Sequence, residues 1–73
     1  MPEIKIVTEV AGRICALPVE VGGQVGDGDD IVLVEAMKME IPVASPAAGR
    51  LTSLLVHRDD LVAEGQIVGI VET

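Results

Sequence analysis

The protein has 73 residues, 49% of them hydrophobic, and twelve acidic against five basic side chains give a formal net charge of −7. A chain of this length is expected to form one small domain, covering residues 1–73, without a deep catalytic cleft. The negative charge and the absence of aromatic residues argue against nucleic-acid binding, and no apolar stretch reaches the roughly 18 residues that suggest a membrane span.

The first predicted elements follow the tripeptide Ala11-Gly12-Arg13. The chain has twelve Val and seven Ile, and the branched side chains of both residues favour strands. They occur in short runs separated by turns that contain Gly or Asp, which is typical of an all-β sandwich or barrel. In chain order we predict a strand at Ile14–Val19, a turn at Gly22-Gly23, a short strand around Val25, a turn at Gly28 and a strand at Ile31–Glu35.

A shift of 37 residues then brings the chain onto itself without a gap. The tripeptide falls on Ala48-Gly49-Arg50, and nine identities occur over about 25 positions. Compositional bias is the alternative explanation, but it accounts poorly for the paired Ala-Gly-Arg and Glu positions. The repeat favours two similar sheets related by an approximate two-fold axis, each covering the other's apolar face. Its second copy predicts strands at Leu51–Val56, around Val62 and at Val68–Glu72.

A helix is the alternative for part of the second copy. We favour a strand, because the equivalent segment of the first copy contains Pro18, and an interior proline costs a helix about 3 kcal/mol. The partial helical stripe, which Arg58 interrupts, consists of Leu51, Leu54, Leu55 and Val62.

Between the two copies lies a predicted hairpin. Its strands, Ile31–Ala36 and Met39–Ala44, leave about two residues for the connection, which requires a tight β-turn. The turn would consist of Met37 and Lys38, and neither is a usual turn former. An amine at this tip would be accessible to another enzyme, and Met is common on surfaces that a partner recognises. The alternative is an ordinary solvated lysine on a surface turn.

The sequence Glu35-Ala36-Met37-Lys38-Met39 resembles the attachment motif of the biotinyl domain family, the biotin carboxyl carrier proteins, within the biotin/lipoyl attachment domains. The hallmark of this family is Ala-Met-Lys-Met with the lysine modified. The resemblance extends from about Ile4 to Glu72, and Gly22-Gly23 departs from the usual Gly-Asp at a turn. The other matching positions are Val19, Gly22, Val25, Gly28, Ile31, Ser45, Pro46, Gly49, Val62, Gly65 and Val71.

The resemblance implies a flattened all-β barrel, or sandwich, of two four-stranded antiparallel sheets with quasi-two-fold symmetry and Lys38 at a hairpin tip. It also implies that a biotin protein ligase attaches biotin covalently to Lys38. The biotinylated chain would shuttle carboxyl groups between a biotin carboxylase and a carboxyltransferase, without catalytic or metal-binding residues of its own. The residues that the ligase would recognise are Glu35, Ala36, Met37, Met39 and Glu40.

Three other functions are considered. A lipoyl-type acyl carrier also modifies a hairpin lysine, but its motif is typically Asp-Lys-Ala, which Met37 and Met39 do not match. A self-contained enzyme would need a nucleophile next to a general base. The sequence offers one His and no phosphate-binding Gly loop. An unmodified interaction module on the same scaffold is the third possibility.

The remaining polar residues predict ordinary structural roles. The acidic run Asp27–Asp30 does not fit a calcium loop, because Ile31 stands where the fifth position needs Asp or Asn. We expect a solvated turn there and an exposed His57 at a strand end. Cys15 is expected to pack within a strand, and a single cysteine favours the reducing cytoplasm.

Overall fold

The computed structural model describes residues 2–73, in which eight strands form two four-stranded antiparallel sheets. The fold is a sandwich of these two sheets, which confirms the predicted all-β class. Within the described residues, no helix has the length and apolar character needed to cross a membrane. The strands are β1 (Glu3–Val7), β2 (Gly12–Ala16), β3 (Gln24–Val25), β4 (Asp30–Ala36), β5 (Met39–Ala44), β6 (Gly49–Leu54), β7 (Leu61–Val62) and β8 (Ile67–Glu72).

The two sheets have the same arrangement of strands. Their orders are β1-β8-β6-β3 and β5-β4-β2-β7. A shift of 37 residues turns β1 into β5, β2 into β6, β3 into β7 and β4 into β8, so that one order maps onto the other. The quasi-two-fold symmetry that the repeat predicted is therefore confirmed.

Strand β1 is the element that the pattern of the residues did not predict. It pairs with β8 from Glu3 opposite Glu72 to Val7 opposite Ile67. Under the 37-residue shift it is the counterpart of β5, with identical Glu and Ile at its first two positions. The repeat therefore begins before the Ala-Gly-Arg tripeptide, and it could have located this strand.

Two strand boundaries differ from the prediction. Strand β2 covers Gly12–Ala16 rather than Ile14–Val19, and β6 covers Gly49–Leu54 rather than Leu51–Val56. Residues beyond the ends of both strands still bury apolar side chains against the core. Their sequence pattern therefore resembles that of a strand, although the ladder hydrogen bonds have ended. The alternative of a helix in the second copy is wrong, because its first leucines lie within β6.

Glycines explain why β2 and β6 begin inside the repeated tripeptide. A Cβ atom on Gly12 would overlap the main-chain oxygen of Glu35 and lie 2.8 Å from a methyl carbon of Val34. A Cβ on Gly49 would meet the equivalent atoms of β8 in the same way. The missing side chains therefore allow β2 to approach β4, and β6 to approach β8, at the strand starts.

The core lies between the sheets and is filled largely by equivalent residues of the two copies. Ile14 and Leu51 are such a pair, and both are fully buried. Burial of a Val, Leu or Ile side chain contributes about 1.5–3 kcal/mol, so these pairs supply most of the stabilisation. Among the described residues the buried core consists of Ile6, Ile14, Val25, Ile31, Val32, Val34, Val43, Leu51, Val56, Val62, Val68 and Val71.

Two buried hydroxyl groups repeat the same local structure in both copies. The Thr8 hydroxyl donates to the carbonyl of Val10 at 2.7 Å, and the Ser45 hydroxyl donates to the carbonyl of Ala47 at 2.6 Å. Because a buried hydroxyl without a partner would be costly, these short bonds make both turns compatible with the core. The symmetry thus extends from strand order to individual hydrogen bonds.

Candidate functional site

The predicted two-residue turn is present between β4 and β5. The last strand pair is Ala36 with Met39, so Met37 and Lys38 form the connection. Both have positive φ, 50° for Met37 and 65° for Lys38, which is the backbone of a type I′ turn. This turn matches the twist of the strands, but Asn and Gly normally occupy it. Two side-chain-bearing residues are therefore held here in a backbone region that disfavours them.

The side chains of the turn point away from the core. Lys38 is exposed, Met37 is 89% exposed and Met39 is 64% exposed. Large apolar side chains with this exposure contribute little to folding, and they leave an adaptable apolar surface on each side of the amine. The amine is neither buried nor on a helix, either of which would have contradicted the hairpin hypothesis.

Two carboxylates lie side by side below the turn. Glu35 on β4 and Glu40 on β5 are directly opposed, an arrangement in which like charges repel. Arg13, the partner of Glu35 on the other side of β4, donates from Nη2 to Oε1 of Glu35 at 3.1 Å. Its Nη1 atom donates to the carboxylate of Asp59. Hydrogen bonding to Glu35, followed by the charge of Glu35, raises the pKa of the Arg13 guanidinium.

Cys15 lies on β2 next to this cluster and is half-buried. Its Sγ atom is 3.4 Å from the carbonyl oxygen of Leu33 and 3.6 Å from Oε2 of Glu40. Partial burial, and after it the Glu40 carboxylate, raise the pKa of the thiol. The protonated thiol is a poor nucleophile, so the structure agrees with a packing role on the predicted strand.

All six residues proposed from the sequence lie on one hairpin, and their environments differ. Ala36 is half-buried at the last strand pair, where it has contact with the scaffold. The remaining five are exposed at the tip or on the strand residues next to it, and they are Glu35, Met37, Lys38, Met39 and Glu40.

Arg13 and Asp59 were missed by the sequence analysis as neighbours of this surface. They are 46 residues apart, and the pairing of β2 with β7, which the hydrogen bond from the Asp59 N–H to the Ile14 carbonyl continues, brings their side chains together. A signal was present nevertheless, since Arg13 and Glu35 are both repeated 37 residues later. The repeated pair, Arg50 and Glu72, is likewise opposed in its own sheet, whereas Asp59 is not repeated, because its counterpart is Gly22.

The acidic run forms an exposed turn, as expected, whereas His57 is exposed but begins a turn three residues after β6 rather than lying at a strand end. Asp29 lies in the exposed acidic run and accepts a hydrogen bond from the Gly26 N–H at 2.8 Å. His57 has an 89% exposed side chain and lies 3.7 Å from Asp60. Across residues 2–73, no group of three or more His, Cys, Asp or Glu side chains is arranged to hold a metal ion.

Comparisons with known proteins relate these features to a family. Residues 1–71 match the Biotin_lipoyl family model, which is described as "Biotin-requiring enzyme". The chain is 35% identical over 63 residues to the biotinylated protein TB7.3 homolog of Mycobacterium leprae, which covers 86% of this chain and 89% of that protein. It is 30% identical over 60 residues to the biotin/lipoyl attachment protein of Bacillus subtilis, with 82% of each chain covered.

A solved structure has the same fold within a much larger protein. The crystal structure of the Kluyveromyces lactis urea carboxylase superposes with a TM-score of 0.93 and 28% sequence identity. The match covers 99% of this chain but 6% of the carboxylase. The same sandwich therefore occurs both as most of a small protein and as a small part of a long multidomain one.

Proposed function

Because this chain belongs to the family of biotin-requiring enzymes, we propose that it is a biotin carrier whose cofactor is joined covalently to Lys38. The observation that carries this proposal is the turn itself. Lys38 is one of two turn residues with positive φ, at the exposed tip of a hairpin between two strands of a sandwich. A position that disfavours ordinary side chains, yet retains a lysine, favours a role for its amine.

The chemistry assigned to the chain is limited to presenting this amine. A biotin protein ligase would activate the carboxyl group of biotin with ATP. The Nζ atom would then lose a proton and attack the carboxyl carbon, and the bond from that carbon to the leaving group supplied by ATP would break as the amide forms. The turn holds the Lys38 backbone in one conformation, so that the ligase has only the side chain to orient. The exposed sulfur-containing side chains of Met37 and Met39 would contact the ligase on either side.

The biotinylated chain would then visit two active sites. We propose that a biotin carboxylase loads a carboxyl group from bicarbonate, with ATP as the co-reactant, and that a carboxyltransferase passes it to an acceptor. Attachment raises the effective concentration of biotin at each site without a new contact. The lysine and biotin arm reaches roughly 14 Å at bond lengths of about 1.5 Å. The scaffold itself is 36 Å long. Active sites that are farther apart than the arm can reach would require the whole carrier to move.

The remaining parts of the proposal concern the state of the chain. We propose that residues 1–73 act as one carrier domain that supplies no catalytic side chain to either partial reaction. We also propose that it works in the reducing cytoplasm, where the single cysteine would stay a free thiol. The urea carboxylase match supports a biotin-dependent carboxylase as the partner.

Replacement of Lys38 tests the attachment site directly. The apo chain would be expressed with a biotin protein ligase and examined by intact mass and by avidin blot. Lys38→Arg should abolish labelling completely, because arginine cannot form the amide. Lys5→Arg is the matched control, since it removes the only other lysine in the sequence. Lys5 is exposed like Lys38, but it lies on a strand rather than in a turn.

Each outcome of this experiment decides between the functions considered. Biotin on the wild type and on Lys5→Arg, but not on Lys38→Arg, supports the proposal. Biotin on Lys38→Arg would contradict the site. A mass increase that corresponds to lipoyl, after expression with a lipoyl ligase instead, would favour the acyl carrier. An unlabelled wild type would favour an interaction module.

A further inference from the structure

Each sheet carries a row of two acids and one base at equivalent positions. In the sheet that bears the hairpin, Glu40, Glu35 and Arg13 are successive partners on β5, β4 and β2. Among the residues that the structure describes, the other sheet repeats this row on β1, β8 and β6 without a lysine turn beside it. The residues of that second row are Glu3, Glu72 and Arg50.

The two rows differ in how tightly the arginine is held. Arg13 lies 3.1 Å from Glu35, whereas the Arg50 to Glu72 distance is 4.0 Å. Arg13 also contacts Asp59, which has a φ of 74°. The counterpart of Asp59 under the 37-residue shift is Gly22, with a φ of 92°. An aspartate therefore stands where the other copy has the glycine that this backbone favours.

Stability does not account for this difference between the rows. The side chains of Arg13, Glu35 and Asp59 are 41%, 45% and 68% exposed, and exposed ion pairs contribute little to stability. Asp is also less favourable than Gly at positive φ. The additional contact holds Arg13, whose other terminal nitrogen binds Glu35, three residues before Lys38.

We propose that Arg13, held by Asp59, is a positioning residue for biotin attachment, and this inference rests on the proposed function of Lys38. Arg13 binds Oε1 of Glu35 from the side of β4 opposite to Glu40, whose Oε2 lies 3.6 Å from the Cys15 Sγ atom. Oε2 of Glu35 is then the oxygen that a donor from the ligase would meet in a fixed position. Charge-assisted hydrogen bonds of this kind are strong and sensitive to geometry.

The test is the steady-state rate of biotin transfer to the apo chain, measured as a function of carrier concentration. Arg13→Gln should raise KM by about three- to ten-fold and leave kcat within about two-fold, because the amine and its turn are unchanged. Asp59→Gly should raise KM less, since the Glu35 contact remains. Arg50→Gln makes the same change in the other sheet and should leave both constants unaltered.

A double-mutant cycle separates positioning from a general effect on the fold. If Arg13 acts through Glu35, Arg13→Gln should have no further effect on KM in a chain that already carries Glu35→Gln. Equal effects of Arg13→Gln and Arg50→Gln, or a persistent effect in the Glu35→Gln chain, would overturn the inference while wild-type labelling at Lys38 stands. A wild type that the ligase does not label would overturn both proposals.

Discussion

The strand pair β4–β5 and the strand pair β8–β1 occupy equivalent places in the two sheets. In the first pair, Ala36 and Met39 close the ladder and a two-residue turn joins the strands. In the second pair, the equivalent positions are Thr73 and Pro2, and the Thr73 N–H donates to the Pro2 carbonyl at 3.0 Å. Within residues 2–73 the backbone thus has the same pairing in both places, and a turn connects the strands of the first pair.

The comparison shows which features belong to the scaffold and which to the site. Core packing, the glycines at the strand starts and the hydroxyl turns occur in both copies and serve the fold. Three features found in one copy alone lie at or near the turn. They are the positive φ of Met37 and Lys38, the exposed methionines and the Asp59 contact of Arg13.

The largest effect should come from the core residues that the copies share. Ile14→Ala and Leu51→Ala should each reduce the free energy of unfolding by about 2–5 kcal/mol, because both remove a fully buried side chain. Urea denaturation would measure the two losses. Since the residues are equivalent, the losses should be similar. A loss confined to one variant would show that the two copies contribute unequally to the free energy of unfolding.

A replacement of the turn should separate stability from labelling. Met37→Asn with Lys38→Gly provides the residues that a type I′ turn favours, and it should raise the free energy of unfolding by about 1–2 kcal/mol. Biotin labelling should be lost in the same variant. Thermal unfolding and avidin blotting would check both results, and a less stable variant would show that the native turn is unstrained.

Replacement of the methionines should affect recognition more than folding. Met37→Ala and Met39→Ala should slow ligation several-fold and change the free energy of unfolding by less than about 0.5 kcal/mol, because both side chains are exposed. Val21→Ala is the control, as it removes an apolar side chain that is 58% exposed and distant in sequence. If stability falls more than the ligation rate, recognition through the methionines is wrong.

The smallest effect concerns the reactivity of Cys15. Because its pKa is raised in the folded chain, alkylation by iodoacetamide should reach its half-maximal rate at a higher pH than in the unfolded chain. The retained proton favours the folded state at neutral pH. That contribution declines as the pH rises through the pKa of the unfolded chain towards that of the folded chain.

A pair of equivalent acids sharpens this measurement. Glu40→Gln should lower the pH midpoint of Cys15 alkylation but not restore its ordinary value, because burial is the larger cause of the shift. Glu3→Gln makes the same change at the equivalent place in the other sheet and should leave the midpoint unaltered. A midpoint that does not respond to Glu40→Gln would show that the carboxylate has no influence.

The sequence predicted the class and symmetry of the scaffold better than the bounds of its individual strands. Apolar runs and the internal repeat were sufficient for the all-β class, the symmetry and the hairpin, because these depend on local patterns. The ends of β2 and β6 were misplaced, since a residue such as Val56 is buried beyond the ladder. Strand β1 was missed, although the equivalence of Ile4 and Ile41 contained the information.

The site could be predicted in part for the same physical reason. The turn follows from the spacing of its two strands, and the residues on either side follow from the chain. The contact of Arg13 with Asp59 depends instead on side chains that the topology brings together from distant segments. A single sequence shows the residue types at these two positions but not their proximity.

The strand orders have a further consequence for how the molecule is held together. Each sheet takes two strands from residues 2–38 and two from residues 39–73, so that neither half of the chain forms a complete sheet. A half-chain on its own would retain no more than two-stranded ribbons, which are marginally stable at best in water. The halves are intertwined like the subunits of a domain-swapped dimer, so separation of one from the other would dismantle both layers together.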